Sequence, residues 1–207
     1  MELDEALIQI ADIRRHLARA EVYRGYRSTA VGASGVLALL AAAVQPRLVP
    51  APAEDLPRYL ALWVGVAAVG LGVAGVEMAR RAWRAGPGLA RQHTLLAAEL
   101  FLPCVAVGAL LTLCIARGAS QAAWMLPGLW ALVYSLGVFA SGRILPRPVA
   151  WVGAYYVAAG CACLVWGQGP RAFAAWQMAA TFGVGQLLAA AILYWTLERY
   201  DGAQASG

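Results

Sequence analysis

Six uncharged, strongly apolar runs divide this chain, at residues 28–46, 59–76, 100–116, 118–142, 149–170 and 172–197. Each is near or above the roughly 18–20 residues with which a helix crosses about 30 Å of hydrocarbon. In lipid, every backbone amide and carbonyl must be satisfied within the protein, so runs of this length read as helices rather than strands. With 61% hydrophobic and 13% charged residues, the chain lacks the polar surface that a soluble fold of 207 residues requires. The expected fold is all-α and integral to a membrane. It is a six-helix bundle with spans at about 28–44, 59–79, 95–116, 121–142, 149–166 and 172–197, an N-terminal segment 1–27 and a short tail 198–207.

The hinge between the second and third runs, residues 77–99, gives these spans a direction. It carries Arg80, Arg81, Arg84 and Arg91 and breaks at Gly86-Pro87-Gly88. All 16 basic residues are arginine. With both termini in the cytoplasm, 12 of them fall on that side and only Arg47, Arg58, Arg117 and Arg171 fall outside, a clear positive-inside bias. Trp63, Trp124, Trp166 and Trp176 then belong at the outer interface, and Trp83, Trp151 and Trp195 at the inner one. Exclusive use of arginine, together with richness in alanine, glycine and valine, points to a bacterial inner membrane. The net charge of +5 is accounted for by these helix ends, and no soluble basic domain exists to hold nucleic acid.

Residues 1–27 predict a cytoplasmic amphipathic helix, with Leu3, Leu7, Ile10, Ile13 and Leu17 on one face. Asp4 and Glu5 in the first turn and Arg14, Arg15 and Arg19 later complement the helix dipole. The order of charged and apolar residues is not that of a signal peptide. Such a helix either lies on the headgroups or offers its apolar face to a protein partner or another copy of this chain. Its acidic first half argues against a purely electrostatic grip on anionic lipid.

The interior of the spans is chemically sparse. No charged residue falls near the middle of any run, which weighs against a proton-coupled carrier. There is no lysine for a Schiff base, and the two histidines, His16 and His93, lie in cytoplasmic segments, so paired haem ligands within the bilayer are excluded. The stretch Gly70-Leu71-Gly72-Val73-Ala74-Gly75 spells a dinucleotide fingerprint but lies deep in an apolar span with no preceding strand, so it reads as helix-packing surface. Cys104, Cys114, Cys161 and Cys163 read as small hydrophobes, and Cys161 and Cys163 point about 200° apart on a helix. No catalytic residue, cofactor or metal site is expected.

Two groups of residues remain as candidate sites. Glu77 and Glu99 lie near the inner ends of the second and third spans with His93 between them in sequence. Pro103 cannot donate to the Glu99 carbonyl, leaving a carboxylate and a free backbone oxygen together for a cation or a headgroup amine. Set against this, Glu77 is spaced to pair with Arg80 and Arg81 along its own helix. The second group is Gln177, Thr181 and Gln186 of the last span, which either bond neighbouring helices or line a pathway; Gln177 and Thr181 share a face and Gln186 lies roughly opposite. Tyr134, Ser135, Tyr155 and Tyr156 admit the same two readings. Function is therefore read first as non-enzymatic docking or sensing through the cytoplasmic face. A small-solute carrier or channel, oligomeric in form, is the alternative, and a membrane enzyme acting on lipid headgroups ranks third.

Overall fold

The computed structural model describes residues 28–84, 89–142 and 148–198, with side chains described throughout these segments except at 81–82, 84, 89–98 and 197–198. Helix α1 spans Ser28–Leu48, α2 Leu56–Arg84 and α3 Leu89–Gly118. A 3₁₀ turn at Ser120–Met125 leads into α4, Leu126–Ser141, and α5 spans Val149–Trp166. After a short turn at Gly169–Arg171 the chain enters α6, which runs continuously over 175–198 and widens to π geometry at Ala179–Val184 and again at Tyr194–Glu198. No strand occurs among the described residues. Six helices are long and apolar enough to cross a membrane, the architecture of a multi-pass membrane protein. The expected amphipathic helix with Leu3, Leu7, Ile10, Ile13 and Leu17, the Gly86 turn and the C-terminal tail lie outside the described residues.

Small residues set the register between antiparallel neighbours. A β-carbon on Gly35 of α1 would stand 3.1 Å from the Gly183 carbonyl of α6, and one on Gly32 would stand 3.5 Å from Ala190 Cβ. Between α4 and α5, a β-carbon on Gly128 would reach 2.8 Å from the Gly160 carbonyl, and one on Gly160 2.9 Å from that of Gly128. These backbones approach more closely than any larger residue permits, the usual device for joining helices where no hydrophobic effect drives them together. Helix α2 lies along α1, with Gly70 near Ser34, and α3 lies along α4, with Phe101 and Cys104 against Gly137. Directions alternate along the chain. One end of the bundle therefore carries the hinge (the hinge end), and the other carries the loop before α2 and the turn before α6 (the far end).

Burial is uneven. Two clusters form the core: Ala38, Tyr59, Trp63, Leu126, Phe173 and Met178 at the far end, and Ala131, Val138, Val149, Val152, Tyr156 and Leu193 toward the hinge end. Helices α2 and α3 are flanks. No β-carbon at Gly65, Gly72 or Gly75 of α2 would meet an atom within 4 Å, so of the three glycines in the Gly70–Gly75 stretch Gly70 alone faces a neighbouring helix among the described residues. Cys163 is buried while Cys161 is exposed, as their divergence on a helix requires.

Some boundaries differ from the sequence reading, each for a local reason. Helix α1 continues past Pro46, because a proline in the last turn removes only a donor for the Ala42 carbonyl. Helix α2 begins at Leu56 because Asp55 caps it: Asp55 Oδ1 accepts from the Arg58 backbone amide at 3.2 Å, and Pro57 sits in the first turn, where its missing amide costs nothing. The Arg58 side chain also pairs with Asp55 at 3.3 Å. Trp63, expected at the outer interface, is instead 2% exposed and bonded within the bundle. At the hinge end, Trp83, Trp151 and Trp195 are 85%, 74% and 64% exposed.

Candidate functional site

The far end holds a buried polar knot centred on the turn before α6. Two residues there take the left-handed backbone region, Gly169 at φ 60° and Phe173 at φ 59°. Glycine adopts it freely, whereas a side chain raises the cost by about 1–2 kcal/mol. Phe173 is held there by three contacts. Its ring is buried, it meets Tyr59 edge-on with centroids 4.7 Å apart, and its carbonyl accepts from Gln45 Nε2 at 2.8 Å. Gln45 Oε1 in turn accepts from Trp63 Nε1 at 3.1 Å, so one carboxamide joins α1, α2 and the turn before α6.

Gln177 and Thr181 belong to this knot, and among the described residues their side chains bond to backbone carbonyls of their own helix and the turn before it. Gln177 is fully buried and donates Nε2 to the Arg171 carbonyl at 2.8 Å, closing the turn that precedes its own helix. A β-carbon on Gly167 would stand 2.7 Å from that nitrogen, so the glycine makes the room. Thr181 Oγ1 donates to the Gln177 carbonyl at 2.7 Å. Gln177 Oε1 and the Tyr59 hydroxyl are buried with no hydrogen-bond partner among the described residues.

The π segment Ala179–Val184 lies between this knot and an aromatic cluster. The Tyr155 hydroxyl donates to the Ala180 carbonyl at 2.5 Å, using an oxygen within the stretch where the regular α ladder is interrupted. Tyr134 of α4 sits at the centre of the cluster, with ring centroids 4.7 Å from Tyr156, 5.1 Å from Phe101 and 5.7 Å from Phe182. Gln186 Nε2 donates to the Tyr134 hydroxyl oxygen at 2.7 Å, a bond between α6 and α4. Ser135 donates to the Leu132 carbonyl of its own helix at 2.6 Å. Of the three α6 candidates, only Gln186 bridges helices, and it also borders a cavity of about 50 Å³ toward the hinge end.

Glu77 is half-buried and Glu99 is exposed, and the His93 side chain lies outside the described residues. Helix α3 passes Pro103 without ending. Among the described residues there is no group of three or more His, Cys, Asp or Glu side chains able to hold a metal ion. The residue that the sequence reading passed over is Gln45, assigned there to a loop. Its only signal was a lone carboxamide directly before a proline, and its partners are 18 and 128 positions away.

Comparison with family models, curated proteins and solved structures finds no match.

Proposed function

We propose that this chain is a six-span protein of a bacterial inner membrane, with both termini in the cytoplasm, acting as a non-enzymatic docking or sensing scaffold through its cytoplasmic face. The observation that carries this reading is the fate of the polar side chains inside the bundle. Gln45, Gln177, Thr181 and Gln186 each make a bond that fixes a helix or a turn, and an aromatic cluster of Phe101, Tyr134, Tyr156 and Phe182 packs between α3, α4, α5 and α6. That is the pattern of a packed support rather than of a polar passage. Orientation is supported by the arginine bias and by the exposed Trp83, Trp151 and Trp195 at the hinge end. The N-terminal face of Leu3, Leu7, Ile10, Ile13 and Leu17 would receive a protein partner or another copy.

Two measurements test this. Reporter fusions at Gly86 should place the hinge in the cytoplasm; a periplasmic hinge overturns the orientation. Proteoliposomes bearing the full chain should show no more flux of small ions and polar solutes than empty vesicles. Flux above that background would favour the carrier reading instead.

A further inference from the structure

We propose that the cavity beside Gln186 is a binding site for the hydroxyl end of a membrane-dissolved amphiphile, a primary alcohol on an apolar chain. The site stands on its own geometry and does not depend on the docking reading.

The cavity measures about 50 Å³ and is bounded by α1, α3, α4, α5 and α6, with Val31, Phe101, Val152 and Leu193 among its apolar walls. An apolar cavity of about 150 Å³ accommodates benzene, and about 10–15 Å³ on this kind of measure accommodates one water. The space therefore suits a hydroxyl with two or three carbons, the rest of the molecule lying outside it. The polar wall is made by the Gln186–Tyr134 pair and by Ser141, whose hydroxyl donates to the Gly137 carbonyl of its own helix at 2.9 Å. Gln186 spends Nε2 on the Tyr134 hydroxyl, and its Oε1 has no donor among the described residues. A carboxamide oxygen held in apolar surroundings gains from a donor, since leaving it unpaired costs about 1–3 kcal/mol. A hydroxyl supplies one without bringing a charge into an apolar span, where charge is costly, and its carbon chain fills apolar volume that a water would leave empty. An alkane would fill the same volume and leave the oxygen unpaired.

The test uses the full chain in lipid nanodiscs and a photoreactive diazirine analogue of octan-1-ol, with labelled residues mapped by peptide mass spectrometry. Labelling should concentrate on the cavity walls of α4, α5 and α6, and octan-1-ol should compete about tenfold better than octane, the ratio that one hydrogen bond to an acceptor without another donor supports. Ala189→Phe, which fills the space, should abolish the concentrated labelling; Gln186→Leu should leave labelling but remove the preference of alcohol over alkane. The wild-type competition needs no variant and is immune to a folding failure in either. Labelling spread evenly over the exposed faces of α2 and α3, equal competition by octane, or cavity labelling that survives Ala189→Phe would each overturn the proposal.

Discussion

Gln45 donates its side-chain amide to the backbone carbonyl of Phe173 at 2.8 Å, tying the end of α1 to the turn before α6 across 128 positions of chain. The bond does more than join two segments. It satisfies the carbonyl of a residue held at positive φ, and the other end of the same carboxamide satisfies the buried indole of Trp63.

Gln45→Leu should therefore destabilise the protein by about 1–3 kcal/mol, since it leaves a buried carbonyl and a buried indole N–H without partners. Unfolding of the detergent-solubilised protein, followed by tryptophan fluorescence, measures this. Gln168→Leu is the control: its amide donates to the Leu164 carbonyl at 3.3 Å in an exposed position, and the change there should stay within about 0.5 kcal/mol.

Two adjacent tyrosines should respond in opposite directions. Tyr155→Phe removes a donor from the Ala180 carbonyl and should cost about 0.5–1.5 kcal/mol. Tyr156 keeps a fully buried hydroxyl with no hydrogen-bond partner among the described residues, so Tyr156→Phe should leave stability unchanged or raise it. Equal losses at both positions in the same unfolding assay would contradict these assignments.

Glycines divide in the same way. Gly128→Ala and Gly160→Ala each drive a methyl to within 3 Å of the facing backbone carbonyl and should cost about 1–3 kcal/mol through overpacking. Gly72→Ala and Gly75→Ala meet nothing within 4 Å and should be neutral or stabilising by up to about 1 kcal/mol, the difference in helix propensity. Thermal aggregation midpoints of the four variants, compared in one detergent, separate the two groups.

Much of the fold was legible beforehand. The fifth span was placed at 149–166, where α5 lies, because an uncharged run of that length has only one structure open to it in lipid. The divergence of Cys161 and Cys163 followed from helix geometry alone. Trp63 shows where such reading stops. Its position in the sequence is that of an interfacial anchor, but it lies 18 positions from a buried carboxamide that only the α1–α2 contact brings alongside. Gln186 was placed opposite Gln177 and Thr181 without allowance for the π segment between them, and its partner Tyr134, 52 positions away, could not be named from spacing. For Glu77, His93 and Glu99 the grouping stays an expectation from the sequence, because the His93 side chain lies outside the described residues.

By itself, the order of residues determined that this protein is built from six apolar helices, because the length and apolarity of each run are properties of one segment in a solvent that tolerates no unpaired backbone. Tertiary structure alone decided which polar side chains are spent on holding helices, which glycines bear backbone-to-backbone contact, and where a small space remains beside Gln186. Those outcomes depend on distances between segments far apart in the chain, and helical periodicity gives the direction of a side chain about its own axis without saying which neighbour it will meet.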